Sequence, residues 1–208
     1  INGRIQQRYD LSDYGGAVYN MAQDDAGNLW MCQSGSPGLT CLQPDGTIRH
    51  FGEESGLNSE AVEAVYFDPV RRYLYAGGVG EDKSLFRYNP AIEIFENISP
   101  VFGLDRSLTF RVLDLAGDEN GRLVLGTTLG LFEYKNGQVS PLGGEDTRGV
   151  AVLAVETAPD GRVWFASAEG ANMLQDGAVY SFTDINGLPA KTIGYRGIAR
   201  DDEEHIWI

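Results

Sequence analysis

The sequence predicts an all-β chain arranged as a β-propeller of four-stranded antiparallel blades. Two observations carry this. A turn-and-strand element recurs along the whole chain, and each recurrence is surrounded by four short apolar runs in the same order. The element is Asp-x-x-Gly-x-apolar-aromatic. It reads Asp24 to Trp30, Asp118 to Val124, Ala158 to Trp164 (first Asp lost), Asp201 to Trp207 (Gly lost), and Asp68 to Tyr75 with one insertion. Equivalent second-strand positions are 30, 75, 124, 164 and 207, in steps of 45, 49, 40 and 43 residues. A repeat of that length is the signature of a propeller blade or a solenoid unit.

Each unit has one grammar. A first strand (Val18 to Met21, Val62 to Val65, Val112 to Leu115, Val152 to Val155, Tyr195 to Ile198) leads into the Asp-Gly turn. The second strand follows, for example Leu29 to Cys32. A glycine-rich hairpin opens the third, for example Ser84 to Tyr88 or Gly130 to Tyr134. A second turn, Pro44-Asp45-Gly46, Lys135-Asn136-Gly137 or Gln175-Asp176-Gly177, opens the fourth. Asn-Gly and Asp-Gly are strong hairpin signals, and the runs between them are rich in β-branched and aromatic residues. A lone four-stranded sheet buries one face poorly, and stacking blades around an axis buries both, with Trp30, Tyr75 and Val124 expected between neighbours. A β-sandwich would not explain the recurring element. The predicted organisation is one propeller over 1–208: an outer strand of a preceding blade within 1–10, full blades at 16–52, 60–99, 109–143 and 150–183, and a partial blade at 193–208.

The chain has 208 residues and a net charge of −14. Phosphate binding needs clustered Lys and Arg, so nucleic acid is an unsuitable partner, as is an anionic membrane surface. No run approaches the eighteen apolar residues of a spanning helix. Both ends read as cut from a longer polypeptide. No calcium-loop, zinc, phosphate-loop or nucleophile-elbow pattern occurs, so neither a metal nor a cofactor is predicted. His50 falls on an outer fourth strand and His205 in a turn, so no catalytic residue is assigned. The repeated Asp24, Asp118 and Asp201 read as turn residues whose carboxylates accept backbone N–H groups.

Cys32 and Cys41 flank a hairpin centred near Ser36 and Pro37. A regular register would set them opposite each other, Cβ atoms roughly 4.5–5.5 Å apart. A disulfide and a pair of buried thiols both fit that placement.

The units resemble the two-component regulator propeller repeat. Val18 to Asp24 and Val112 to Asp118 match its first strand and turn; Gly38-Leu39 and Gly130-Leu131 match its third-strand opening, where Gly170-Ala171 departs by one residue. Its Gly-Leu-Pro-like linker appears as Gly56-Leu57-Asn58, Gly103-Leu104-Asp105 and Gly187-Leu188-Pro189, and is replaced by Gly143 to Asp146. The resemblance implies the sensor part of a membrane-bound bacterial signalling protein, periplasmic, non-catalytic, and joined to the rest of a larger receptor chain. It also implies seven blades, so that this chain is a segment of a larger ring. A closed five-bladed ring, with Arg4 to Tyr9 joining the last strands, is the rival. The expected ligand is a small molecule, above all a glycan fragment, and a homodimer is open. The alternatives are a protein-binding scaffold and, as in the similar repeats of streptogramin lyases, an enzyme. The candidate ligand-binding residues on hairpins and interblade links are Lys83, Arg106, Arg111, Arg148, Glu169, Tyr195 and Arg196, chosen because guanidinium groups with aromatic rings suit sugars.

Overall fold

The computed structural model describes residues 7–59, 61–80, 82–99, 110–182, 187–188 and 193–208. Four antiparallel sheets of four strands follow one another, each in simple sequential order. The first contains β1 (Val18–Gln23), β2 (Leu29–Gln33), β3 (Leu39–Leu42) and β4 (Ile48–Phe51). The second contains β5 (Val62–Asp68), β6 (Tyr73–Gly78), β7 (Leu85–Asn89) and β8 (Ile94–Asn97). The third contains β9 (Val112–Gly117), β10 (Leu123–Thr127), β11 (Gly130–Lys135) and β12 (Gln138–Leu142). The fourth contains β13 (Val152–Thr157), β14 (Val163–Ser167), β15 (Gly170–Gln175) and β16 (Ala178–Phe182). A two-stranded sheet, β17 (Ala199–Arg200) with β18 (Ile206–Trp207), closes the described chain. Among the described residues the only helices are short 3-10 turns, and none is long and apolar enough to cross a membrane.

The sheets stack through their faces. One apolar cluster joins Trp30, Cys32, Leu39 and Phe51 of the first sheet to Val65, Leu74, Phe86 and Phe95 of the second. A second joins Tyr75 and Leu85 to Val112, Leu125 and Phe132. A third joins Val124 and Leu131 to Val155, Phe165 and Leu174. The second-strand residues Trp30, Tyr75 and Val124 thus sit between neighbours, as the stacking argument expects. First strands lie side by side on the inner edge and are tied directly. Asn20 Oδ1 accepts the Val65 N–H at 2.6 Å, and Asp114 Oδ2 accepts the Val155 N–H at 2.9 Å.

The recurring Asp is a clamp. Asp24 Oδ1 accepts the N–H groups of Ala26 and Asn28 at 3.0 and 2.9 Å, while Oδ2 accepts Asn28 Nδ2 and the Trp30 indole N–H, both at 2.8 Å. Asp201 repeats this with Glu203 N, His205 N and the Trp207 indole. The Trp207 hydrogen bond, foremost, holds the Asp201 carboxyl down to about 2. Asp118 holds Arg122 N and Nε in the same way, the arginine standing where Asn28 does and Val124 where Trp30 does. The glycine hallmarks also have a reason. A Cβ at Gly38 would collide with the Phe51 carbonyl, and one at Gly56, which is left-handed at φ 84°, with the Phe95 carbonyl.

Two expectations are revised, and a third falls largely outside the described residues. The hairpin register pairs Cys32 with Leu39 and Cys41 with Trp30, so the cysteines are two residues out of register and free. The register is held by a turn in which Ser36 N donates to the Gln33 carbonyl at 3.2 Å, and by Thr40 Oγ1, which bonds Gln33 Oε1 at 2.5 Å across the same two strands. Burial pushes the Cys32 thiol up to about 12 and Cys41 to about 11. Because the thiolate is the reactive form, both should resist iodoacetamide at pH 8 in the native protein and react fully in denaturant, as read by mass spectrometry. The strand expected over Tyr195 to Ile198 lies instead at Ala199–Arg200, since Arg196 turns the chain at φ 59°. The outer strand expected at Arg4 to Tyr9 falls largely outside the described residues, and Gln7 to Tyr9 carry no strand.

Candidate functional site

All four first strands slip register at the same point. The irregularities lie between Val18 and Asn20, between Val62 and Ala64, between Val152 and Ala154, and opposite Gly126 and Thr127 between Val112 and Asp114. A bulge leaves one residue unpaired and re-aims its side chain. The residues so released are Tyr19, Glu63, Leu113 and Leu153. Aligning Tyr195 with Val18 puts Arg196 at the same repeat position.

Four of these five residues converge. A cavity of about 330 Å³ is lined by Tyr19, Glu63, Arg111, Leu113, Tyr195 and Arg196. Tyr19 donates its hydroxyl to the Val62 carbonyl at 2.6 Å, and burial pushes that phenol up to about 12. Arg111 meets Glu63 through both Nε and NH2, and this hydrogen bonding raises the arginine's pKa further. Arg196 crosses the enclosed space. Its guanidinium bonds Asp114 Oδ1, the Glu63 carbonyl, and the Leu113 carbonyl at 2.9 Å. Its Nε is buried without a partner among the described residues. Burial pushes the Asp114 carboxyl above the usual range, while Arg196 and two backbone N–H groups oppose that shift.

Arg196 also lines a second cavity of about 330 Å³, together with Asn20, Gln23, Tyr66, Asp114 and Glu156. It therefore borders both cavities. Charge is balanced around it: Arg111 and Arg196 face Glu63 and Asp114.

Of the residues singled out from sequence, Arg111, Tyr195 and Arg196 are brought together here. Lys83 and Glu169 are exposed and line neither cavity. Arg148 is exposed and paired with the equally exposed Glu145 at 2.9 Å. Arg106 lies outside the described residues. The sequence reading missed Tyr19, Glu63 and Leu113. The available signal was their shared place one residue after the first-strand valine, where residue type changes from unit to unit while its neighbours repeat. Neither His50, on β4, nor His205, bonded to Asp201, lines the cavity. Among the described residues no group of three or more His, Cys, Asp or Glu is placed to hold a metal ion.

No family model matches the sequence, and no curated protein matches it. Solved structures do resemble it. The extracellular domain of BT4673 of Bacteroides thetaiotaomicron, named as a hybrid two component system, superposes with a TM-score of 0.79 at 20% identity over 96% of this chain. That of BT3049, named likewise, superposes with 0.66 at 16% identity over 91%. This chain spans 27% and 26% of those two chains. Virginiamycin B lyase of Staphylococcus aureus, solved with quinupristin as a catalytically inactive histidine-to-alanine variant, gives 0.70 at 14% identity, covering 97% of this chain and 66% of the lyase. At these identities the likeness shows the fold, a β-propeller.

Proposed function

We propose that this chain is a non-catalytic, ligand-sensing propeller segment of an extracytoplasmic bacterial signal receptor, and that the cavity at Tyr19 and Tyr195 takes a neutral glycan fragment. The observation that carries the reading is the pairing of two phenol rings with guanidinium groups whose charge is already cancelled. Ring faces stack on the apolar side of a sugar. The balanced Arg111–Glu63 and Arg196–Asp114 pairs offer hydrogen bonds to hydroxyls without the net positive field that an acidic ligand would favour. The resemblance to two extracellular domains of two component systems supports the signalling role. The periplasmic location and the link to a larger receptor chain rest on the same resemblance. Catalysis is disfavoured because neither histidine lines the cavity, whereas the lyase loses activity when one histidine is replaced.

Isothermal calorimetry against neutral and acidic oligosaccharides tests this. A saturable response to at least one neutral oligosaccharide is expected, weakened about tenfold by Tyr195→Ala. Tyr195 is 64% exposed, so the substitution should leave the fold intact. Silence across the panel from folded protein would overturn the sensor reading.

A further inference from the structure

A further cleft opens between the second and third blades and shares no lining residue with either of these cavities. It holds about 130 Å³ and is built chiefly from Tyr73, Tyr75, Tyr134, Arg71, Arg87 and Lys135. Its origin is a substitution within the repeat. At the preceding interface Trp30 packs on Tyr88 at 5.0 Å between ring centroids, and Phe95, paired with Tyr88 across the strands, seals the space at 4.9 Å. At this interface Tyr75 and Tyr134 take the places of Trp30 and Tyr88, with centroids 6.5 Å apart. The residue paired with Tyr134 is Val139, not a phenylalanine. The missing ring leaves the cleft.

The cleft is furnished for a ligand. None of the three phenol hydroxyls has a hydrogen-bond partner among the described residues, nor does the Lys135 ammonium. Arg87 lies over the Tyr73 ring at 4.9 Å and spends NH2 on Glu96 at 2.8 Å. Arg71 spends NH1 on Asp68 at 3.0 Å and lies flat on the Gly121 turn of the next blade, where any side chain would collide with it. Three cations and no carboxylate line the cleft, in a chain of net charge −14. Guanidinium groups bind carboxylates through paired N–H donors, and aromatic rings bind sugar faces.

We infer that this interblade cleft is a binding site for an anionic sugar residue, a carboxylate carried on a ring. It is separate from the inner cavity and does not depend on the role given to that cavity. The test uses the full chain and tyrosine-ring NMR resonances, titrated with sodium glucuronate. Glucose and sodium acetate, each with one of the two features, serve as controls. Saturable shifts with glucuronate alone are expected. Val139→Phe should refill the space as Phe95 does next door and weaken binding at least about tenfold. Lys135→Gln, a surface change that leaves the packing untouched, should weaken it about threefold. Should V139F disturb folding, K135Q still decides. No saturable response to glucuronate, an equal response to glucose or acetate, or full binding in both variants would overturn the assignment.

Discussion

Replacing Asp24 by alanine is expected to destabilise the protein by about 2–3 kcal/mol, because one carboxylate satisfies four donors and the Trp30 indole N–H would be left buried without an acceptor. The chain contains its own converse. Ala158 stands where the clamp Asp should be, and the backbone turn there is the same: Ala158 N bonds the Arg162 carbonyl at 2.9 Å and Gly161 N bonds the Ala158 carbonyl at 2.9 Å. The Trp164 indole nitrogen is accordingly buried without a partner. Ala158→Asp should supply the acceptor and stabilise by about 1 kcal/mol. Chemical denaturation of both variants measures the pair. A neutral D24A would show that the repeat is kept by packing rather than by the clamp.

The largest expected effect belongs to Arg196. Arg196→Met removes the charge facing Asp114, which stays buried, and should cost about 3–5 kcal/mol. The pH dependence follows from the direction of the Asp114 shift. Burial already raises that carboxyl above its unfolded value, so its ionisation costs stability as pH rises, and losing Arg196 raises it further. The deficit of R196M should therefore be greatest near neutral pH and shrink as the solution is acidified toward about 4, where the unfolded carboxyl also takes up its proton. Denaturant unfolding across pH 4 to about 8 checks the sign. A deficit independent of pH would mean that Arg196 contributes packing alone. Pairing the change with Asp114→Asn should recover most of the loss.

The fold was legible because its cause is repeated. Asp24, Asp118 and Asp201 recur at fixed spacing before the second strand, where each carboxylate accepts N–H groups of the turn. Trp30, Tyr75 and Val124 recur because each must fill an interblade space. The cysteine pairing was not legible, because hairpin register depends on the loop conformation, and the Gln33–Ser36 turn sets Leu39 rather than Cys41 opposite Cys32. The cavity was half legible. Arg111, Tyr195 and Arg196 stood out as cations and aromatics in linking segments. Tyr19, Glu63 and Leu113 looked like ordinary first-strand residues, and only the bulge turns them toward one another. The interblade cleft was invisible for a similar reason: Val139 is an unremarkable strand residue until Phe95 is seen in the same place.

The most direct test of the sensing role is a crystal structure of the protein with the tightest-binding neutral oligosaccharide from the calorimetric panel. A sugar ring is predicted against Tyr19 and Tyr195, with its hydroxyls within hydrogen-bond reach of Arg111 and Glu63. A ligand bound elsewhere, with that cavity filled only by water, would contradict it.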